Sequence, residues 1–323
     1  MIKKVAILTS GGDAPGMNNA VRAIAKHATA NGIESFVVME GYKGLHAGDI
    51  HPITDLDLDG SVSKGGTIIY SSRFPEFKEL KVRKEAKAQL DKLGIDALVV
   101  IGGDGSYHGA QLLHDLGVKT VALPGTIDND ITSSEFTIGY DTALNTIVDS
   151  VEKVRDTMNS HNRAAIVEVM GHGCGDLALF SALATGAELV VTNESKKTVD
   201  EIAQVVREQI KEKGKRSAIV IISEMVYSDL KKLETEVSEK SGVVTRALSL
   251  AHTQRGGKPS ATERINASLM GIEAVDQMIK GKSGIAIGIL KGKMAATPIL
   301  EALKLPREDR HKMAIKINKL NQA

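Results

Sequence analysis

The chain has 323 residues, enough for one large domain or two ordinary ones with a real core. Apolar residues at 42 % and charged residues at 25 % exclude a disordered or fibrous protein. The formal net charge of +1 provides no global field for nucleic acid or an anionic membrane, and aromatics at 3 % with no Trp argue against base stacking.

In chain order, short apolar runs predict strands at Val5–Thr9, Ser35–Met39, Ala97–Ile101, Thr120–Leu123, Ala164–Val169, Leu189–Thr192, Ala218–Ile222 and Gly284–Gly288. Most are continuously apolar and rich in Val and Ile, the pattern of parallel strands buried on both faces. Val5-Ala6-Ile7-Leu8 is too short for a signal-peptide core, and no run is long enough to span a bilayer. Helical stretches lie between the strands. Leu144, Ile147, Val148, Val151 and Val154 recur at helical spacing, and the Lys/Glu-rich stretches 78–92 and 196–215 read as exposed helix faces. The series implies an α/β fold of two lobes, each a parallel-rich sheet sandwiched by helices. The lone Cys174, between two glycines, reads as a packing residue; it forms no intrachain disulfide and fits a reducing cytoplasm.

Three glycine-rich turns follow predicted strands. They are Thr9-Ser10-Gly11-Gly12-Asp13-Ala14-Pro15-Gly16, Gly102-Gly103-Asp104-Gly105-Ser106 and Pro124-Gly125-Thr126-Ile127-Asp128-Asn129-Asp130. All are expected at C-terminal strand ends, where open α/β sheets bind ligands. Glycine lets backbone amides approach a phosphate, and a helix N-terminus adds donors and partial positive charge. Two familiar fingerprints fail. Gly281-Lys282-Ser283 ends like a P-loop, but Asp276 stands where its first glycine belongs; Gly103 and Gly105 are followed by His108 where a dinucleotide fingerprint needs its third glycine.

The chemistry these residues suit is phosphoryl transfer, which needs cations for developing charge and a base for the acceptor proton. Asp104 within a phosphate-type loop suits Mg²⁺. Asp128 and Asp130 are one residue apart, so in an extended segment both would face the same side, one as base and one as ligand. Arginine forks suit a sugar phosphate. Arg73 and Arg163 are candidates, as are Arg246 and Arg255, which flank His252 in the run 245–257 that ends in Gly256-Gly257.

Taken together, Leu8–Asn18, Gly65–Phe77, Ala97–Gly109, Leu123–Asp130, Thr137–Leu144, Val167–Leu177 and Thr245–Gly257, continuing through Glu263-Arg264, resemble bacterial 6-phosphofructokinase. Only the stretch after about Gly292 matches poorly. The resemblance implies transfer of the γ-phosphoryl group of ATP to the 1-hydroxyl of fructose 6-phosphate. It implies Asp128 as base, with Thr126 and Asp130 beside the substrate. Gly12, Arg73, Phe74, Gly105 and Ser106 would hold ATP, and Asp104 would hold Mg²⁺. Met170, Gly171, His172, Glu224, His252 and Arg255 would hold the sugar phosphate. Arg163 and Arg246 match arginines that reach in from a neighbouring subunit, which implies a homotetramer. An ATP-binding lobe of residues 1–139 plus 252–303 and a fructose 6-phosphate-binding lobe of residues 140–251 plus 304–323 are expected. An intersubunit site for ADP or phosphoenolpyruvate would use Arg22, Lys26, Arg155, Glu188, Lys213 and Lys215. Neither nucleic acid nor membrane is an expected partner, and the cytoplasm is the expected location.

The resemblance also carries contrasts. Pyrophosphate-using relatives carry Asp and Lys where this chain has Gly105 and Gly125, so ATP is the expected donor. Bacterial relatives commonly carry Arg where this chain has His172. A histidine, with a reference pKa of about 6.5, is only partly charged near neutrality, so weaker or pH-tuned activity is expected unless another cation compensates. Asp55 stands where an effector-binding arginine is usual, and its carboxylate should repel a phosphorylated effector. The competing readings are a pyrophosphate-dependent phosphofructokinase, an NAD or lipid kinase with a Gly-Gly-Asp-Gly turn, and a regulatory subunit without activity.

Overall fold

The structure, a computed structural model, describes residues 2–323. The chain divides into two compact units, Met1–Thr142 with Arg255–Arg307, and Ala143–Gln254 with Glu308–Ala323.

The first unit is built on an eight-stranded sheet among the described residues. Seven strands run in the order Lys293–Pro298, Ile285–Leu290, Lys119–Thr126, Ala97–Gly102, Lys4–Ser10, Glu34–Val38, Ile50–Pro52. The eighth, Ile138–Gly139, pairs with Lys119–Thr126. The inner pairs are parallel and the two outermost are antiparallel. Val5–Leu8 and Ala97–Ile101 are buried along their length, as their unbroken apolar sequence demands. One face packs Leu8, Val38, Leu98 and Val100 with Tyr42, Leu90, Tyr107 and Leu113. The helices Met17–Ala30 and Ala261–Ile279 approach closely at Gly271, where a Cβ would stand 3.0 Å from the Ala20 carbonyl oxygen.

The second unit carries an all-parallel sheet in the order Thr245–Ser249, Arg163–Val169, Ser217–Ser223, Leu189–Val191. Ile166, Val191, Val220 and Ile222 form its core with Ile202, Val206, Leu233 and Val237 from two helices. The helix Val199–Arg207 starts on a capping box in which the Thr198 hydroxyl accepts from the Glu201 amide and the Glu201 carboxylate accepts from the Thr198 amide. Ile147 and Val151 are buried on the predicted apolar face of Tyr140–His161.

All eight predicted strands are present, within a few residues at their ends. The structure adds Ile50–Pro52, Ile138–Gly139, Thr245–Ser249 and Lys293–Pro298. In the supposedly exposed stretch 78–92, Arg83 is buried; its guanidinium donates to the carbonyls of Phe77 and Lys78.

Candidate functional site

In the first unit the three glycine turns leave neighbouring parallel strands side by side. Ser10 is in register with Gly102, and Gly102 with Pro124, so all three open at one edge of the sheet.

The first turn is fixed from several directions. The Ser71 hydroxyl donates to the Gly11 carbonyl at 2.6 Å, and Thr9 Oγ1 donates to the Tyr70 carbonyl at 2.7 Å. Buried Asn18 accepts from the Ile68 amide at 2.8 Å. These bonds bring the strand-end turn to the segment that carries Arg73 and Phe74. Arg73 is exposed, whereas Phe74 is half-buried with its ring centroid 5.6 Å from that of His46. The Arg255 guanidinium lies against Gly12, where a Cβ would collide with it, and donates to the Asp13 carbonyl at 3.1 Å. Arg255 therefore rests on the first glycine turn.

The second turn leads into the helix Asp104–His114. The Ser106 hydroxyl donates to the Ser10 carbonyl at 3.1 Å, and its amide donates to the Gly103 carbonyl at 2.9 Å. Ser106 thus ties the first two turns together. Tyr42 donates to the Ser106 carbonyl at 2.7 Å, and its full burial raises its hydroxyl pKa well above the ordinary value. Asp104 opens the helix with an exposed side chain, its Oδ2 3.5 Å from His108 Nδ1. Nothing lies within 4 Å of where a Gly105 Cβ would stand. Gly125 differs: a Cβ there would lie 2.8 Å from Met17 Cε and 3.1 Å from the Gly102 amide nitrogen. Packing alone demands glycine at 125, so its value as a sign of the phosphoryl donor falls to Gly105.

The third turn corrects an expectation. The strand ends at Thr126, Ile127 and Asp128 turn, and Asn129 has φ of 54°. Asp128 and Asp130 therefore do not share the side of an extended strand. The turn follows from local hydrogen bonds. Thr126 Oγ1 accepts from the Asp128 amide at 3.2 Å, the Thr137 amide donates to Asn129 Oδ1 at 3.1 Å, and the Thr137 hydroxyl donates to the Thr126 carbonyl at 2.6 Å. Asp128 is 8 % exposed, with Thr126 Oγ1 3.4 Å from its Oδ2. Asp130 instead pairs with Arg307, Nη2 to Oδ2 at 3.4 Å. Asp104, Tyr107, Asp130, Thr132 and Arg307 line one pocket of about 210 Å³.

The second unit groups a separate set. Met170, Gly171 and His172 follow the strand Arg163–Val169, and Glu224 follows its neighbour Ser217–Ser223. Glu224 Oε1 accepts from the Gly171 and His172 amides at 3.1 and 2.8 Å, so this carboxylate shapes the turn. His172 is exposed with φ of 54°, and the Met170 amide donates to Gln254 at 3.1 Å. His252 is exposed on the short 3-10 turn Ala251–Arg255. Arg163 opens its strand half-buried. Arg246 is exposed, its Nη1 3.5 Å from Glu234 Oε1. The Lys231 ammonium, with the Ala247 amide and Arg246, holds the Glu234 carboxyl below the ordinary range.

The proposed effector cations are paired within each unit. Arg22 and Lys26 both bind Asp59, at 2.9 and 2.6 Å. Hydrogen bonds from Lys26 and then Arg22 lower the Asp59 pKa. Asp55 is exposed, its recorded side-chain hydrogen bond at 3.5 Å to Thr54, so the carboxylate occupying these cations is Asp59. Arg155 and Lys215 approach buried Glu188 at 3.5 and 3.3 Å, and Lys213 donates to the Gln322 carbonyl.

Sequence reasoning missed Arg307, Asp59 and Glu263. Glu263 is 2 % exposed and accepts from the Thr142 amide at 3.1 Å and its hydroxyl at 3.2 Å. Burial pushes its carboxyl up to about 7, a rise that the Asp141 charge reinforces and that hydrogen bonds from Gly139 and Thr142 oppose.

Parallel sheets whose glycine-rich, acid-bearing turns open at C-terminal strand ends define an α/β protein with its ligand chemistry at those ends. Residues 4–278 match the family model described as Phosphofructokinase, and the chain belongs to that family. It is 57 % identical over 325 residues to the ATP-dependent 6-phosphofructokinase of Mycoplasma mobile, covering 100 % of both chains. It is 50 % identical to the enzyme of that name from Spiroplasma citri, covering 100 % of this chain and 98 % of the other. The phosphofructokinase structure from Saccharomyces cerevisiae superposes with a TM-score of 0.87 at 34 % identity; it covers 99 % of this chain, which spans 48 % of the yeast chain. A pyrophosphate-dependent phosphofructokinase from Marinobacter aquaeolei shares the fold, with a TM-score of 0.84 at 18 % identity over 100 % of this chain and 92 % of the other. No described helix is long and apolar enough to cross a membrane.

Proposed function

We propose that this chain transfers the γ-phosphoryl group of ATP to the 1-hydroxyl of fructose 6-phosphate, giving ADP and fructose 1,6-bisphosphate. The observation that carries this reading is the placing of Asp104 and Asp128 at the ends of adjacent parallel strands, in a chain 57 % identical to an ATP-dependent 6-phosphofructokinase. Asp128 takes the proton of the 1-hydroxyl as that oxygen forms its bond to the γ-phosphorus. The bond from the γ-phosphorus to the β–γ bridging oxygen breaks, and ADP carries away its electron pair. A nearly buried carboxylate anchored by the Thr126 hydroxyl suits a positioned base.

The first unit is the ATP-binding lobe in this reading. Gly12, Arg73, Phe74 and the amides around Gly105 and Ser106 surround the nucleotide. The Asp104 carboxylate is a hard, exposed oxygen donor, and no described cluster of three or more His, Cys, Asp or Glu forms a closed metal cage. That donor set fits Mg²⁺, which takes one or two carboxylates and completes its shell with phosphate oxygens and water. Bound there, Mg²⁺ would neutralise charge on the triphosphate. Open space beside Gly105 leaves room for the nucleotide, whereas Asp at 105 would set a carboxylate against the phosphates.

The second unit is the sugar-phosphate lobe, with His252, Glu224 and the Met170–His172 turn as its candidate fructose 6-phosphate-binding residues; in the first unit, Thr126, Asp130 and Arg255 are the candidate substrate-binding residues. Arg163 and Arg246 serve a neighbouring subunit in a homotetramer. Arg22, Lys26, Arg155, Glu188, Lys213 and Lys215 form the ADP or phosphoenolpyruvate site, and the cytoplasm is the proposed compartment. A coupled assay offering fructose 6-phosphate with ATP or with pyrophosphate tests the reading. Product from ATP and Mg²⁺, with little from pyrophosphate, is expected. Product from pyrophosphate alone, or from neither, refutes it.

A further inference from the structure

The pocket beside the proposed metal ligand holds a full charge that the sequence did not assign. Its lining brings together two carboxylates, Asp104 and Asp130, and the guanidinium of Arg307. A phosphoryl group entering between two carboxylates meets repulsion, and Arg307 is the cationic side chain of the lining.

Arg307 is held in place by the fold. Ile299 and Ala302 of the preceding helix are buried in the core with Tyr107. The Thr132 hydroxyl donates to the Leu305 carbonyl at 2.8 Å, tying this segment to the residues that follow Asp130. Arg307 Nη2 then stands 3.4 Å from Asp130 Oδ2, with the arginine side chain 45 % exposed and the aspartate 12 % exposed. A single contact at this distance, with the arginine half exposed, adds little stability. It leaves a partly exposed guanidinium in the pocket lining, and such a fork of donors suits phosphoryl oxygens.

We propose that Arg307 is a catalytic cation of the phosphoryl transfer, its guanidinium bearing on the oxygens of the transferring group while Asp130 holds the arginine in position. The proposal rests on the phosphofructokinase reading of this site. Arg307 forms no covalent bond and moves no proton; it offsets charge that develops on the transferring group and the leaving oxygen.

The test compares the full-length wild type with Arg307→Ala and Arg307→Lys, using fructose 6-phosphate, ATP and Mg²⁺. Wild-type turnover is the control for the functional reading, and its absence sinks that reading before any variant is compared. With an active wild type, Arg307→Ala should lower kcat roughly 100-fold, as loss of one preorganised charge-stabilising donor does. KM for fructose 6-phosphate and Tm should hardly move. Added guanidinium ion should restore part of kcat in Arg307→Ala, and Arg307→Lys should fall between the two. A kcat within about twofold of wild type in Arg307→Ala overturns the proposal. So does a loss that comes with a lowered Tm and no guanidinium rescue, which would make Arg307 a staple of the C-terminal segment.

Discussion

Glu263→Gln probes a buried carboxyl that ties the start of one helix to another. Glu263 lies in the first turn of Ala261–Ile279, where its amide donates to the Ser260 hydroxyl at 3.1 Å. Its carboxylate accepts from Thr142 and from the Gly139 amide, and its Cγ stands 2.8 Å from where a Gly16 Cβ would be. Despite these donors, burial dominates and the carboxyl keeps its proton to about pH 7, against an ordinary glutamate value of 4.5. The folded state therefore binds more protons than the unfolded state between those limits, and stability falls as pH rises through that window. With 1.36 kcal/mol per pH unit, the loss from this one carboxyl is about 3 kcal/mol, complete just above pH 7.

Glutamine has the same shape and cannot ionise, so the variant should lose this slope. Urea unfolding at fixed protein concentration, at several values between about pH 4.5 and 8, measures it. The difference between Glu263→Gln and wild type cancels every other titrating group. It should shift by about 3 kcal/mol in favour of the variant across the window. Parallel curves for the two proteins would refute the reasoning, because they would mean that Glu263 ionises with the same ease folded and unfolded.

Asp128→Asn should keep the fold and lower kcat by about 10²- to 10⁴-fold, the contribution of a positioned base, with KM for ATP little changed in steady-state assays. Gly125→Ala forces a methyl against Met17 and the Gly102 amide and should cost about 1–3 kcal/mol in urea unfolding, since the methionine tip can yield and the backbone cannot. Asp59→Ala frees Arg22 and Lys26 and should strengthen the response to ADP in activity titrations, with no change in Tm; Asp55→Ala should leave that response unchanged.

The parallel strands were legible because burial on both faces leaves an unbroken Val/Ile run, as in Ala97–Ile101. The strands that escaped carry no such mark. Ile50–Pro52 and Lys293–Pro298 are outermost, half exposed and end in proline, and Thr245–Ser249 has Arg246 exposed midway. The glycine turns were legible because glycine beside a short acidic run has few other uses. What they do to one another was not, because the bonds that join Ser106 to Ser10, Glu263 to Thr142 and Arg307 to Asp130 span 96, 121 and 177 residues. No local spacing encodes such partners.

The two carboxylates of the third turn make the same point in chemical terms. Their spacing suggested a matched pair on one face, and on a continued strand they would be equivalent. The Thr126 and Thr137 hydrogen bonds end the strand, and Asn129 turns the chain between them. Asp128 is left nearly buried against a hydroxyl, whereas Asp130 meets a guanidinium. A carboxylate that must accept a proton gains from being held in one orientation, here nearly buried with a hydroxyl against it. One that must hold a cation in place gains from facing that cation, as Asp130 faces Arg307. The turn at Asn129 is thus what allows two identical side chains, two residues apart, to serve as base and as anchor.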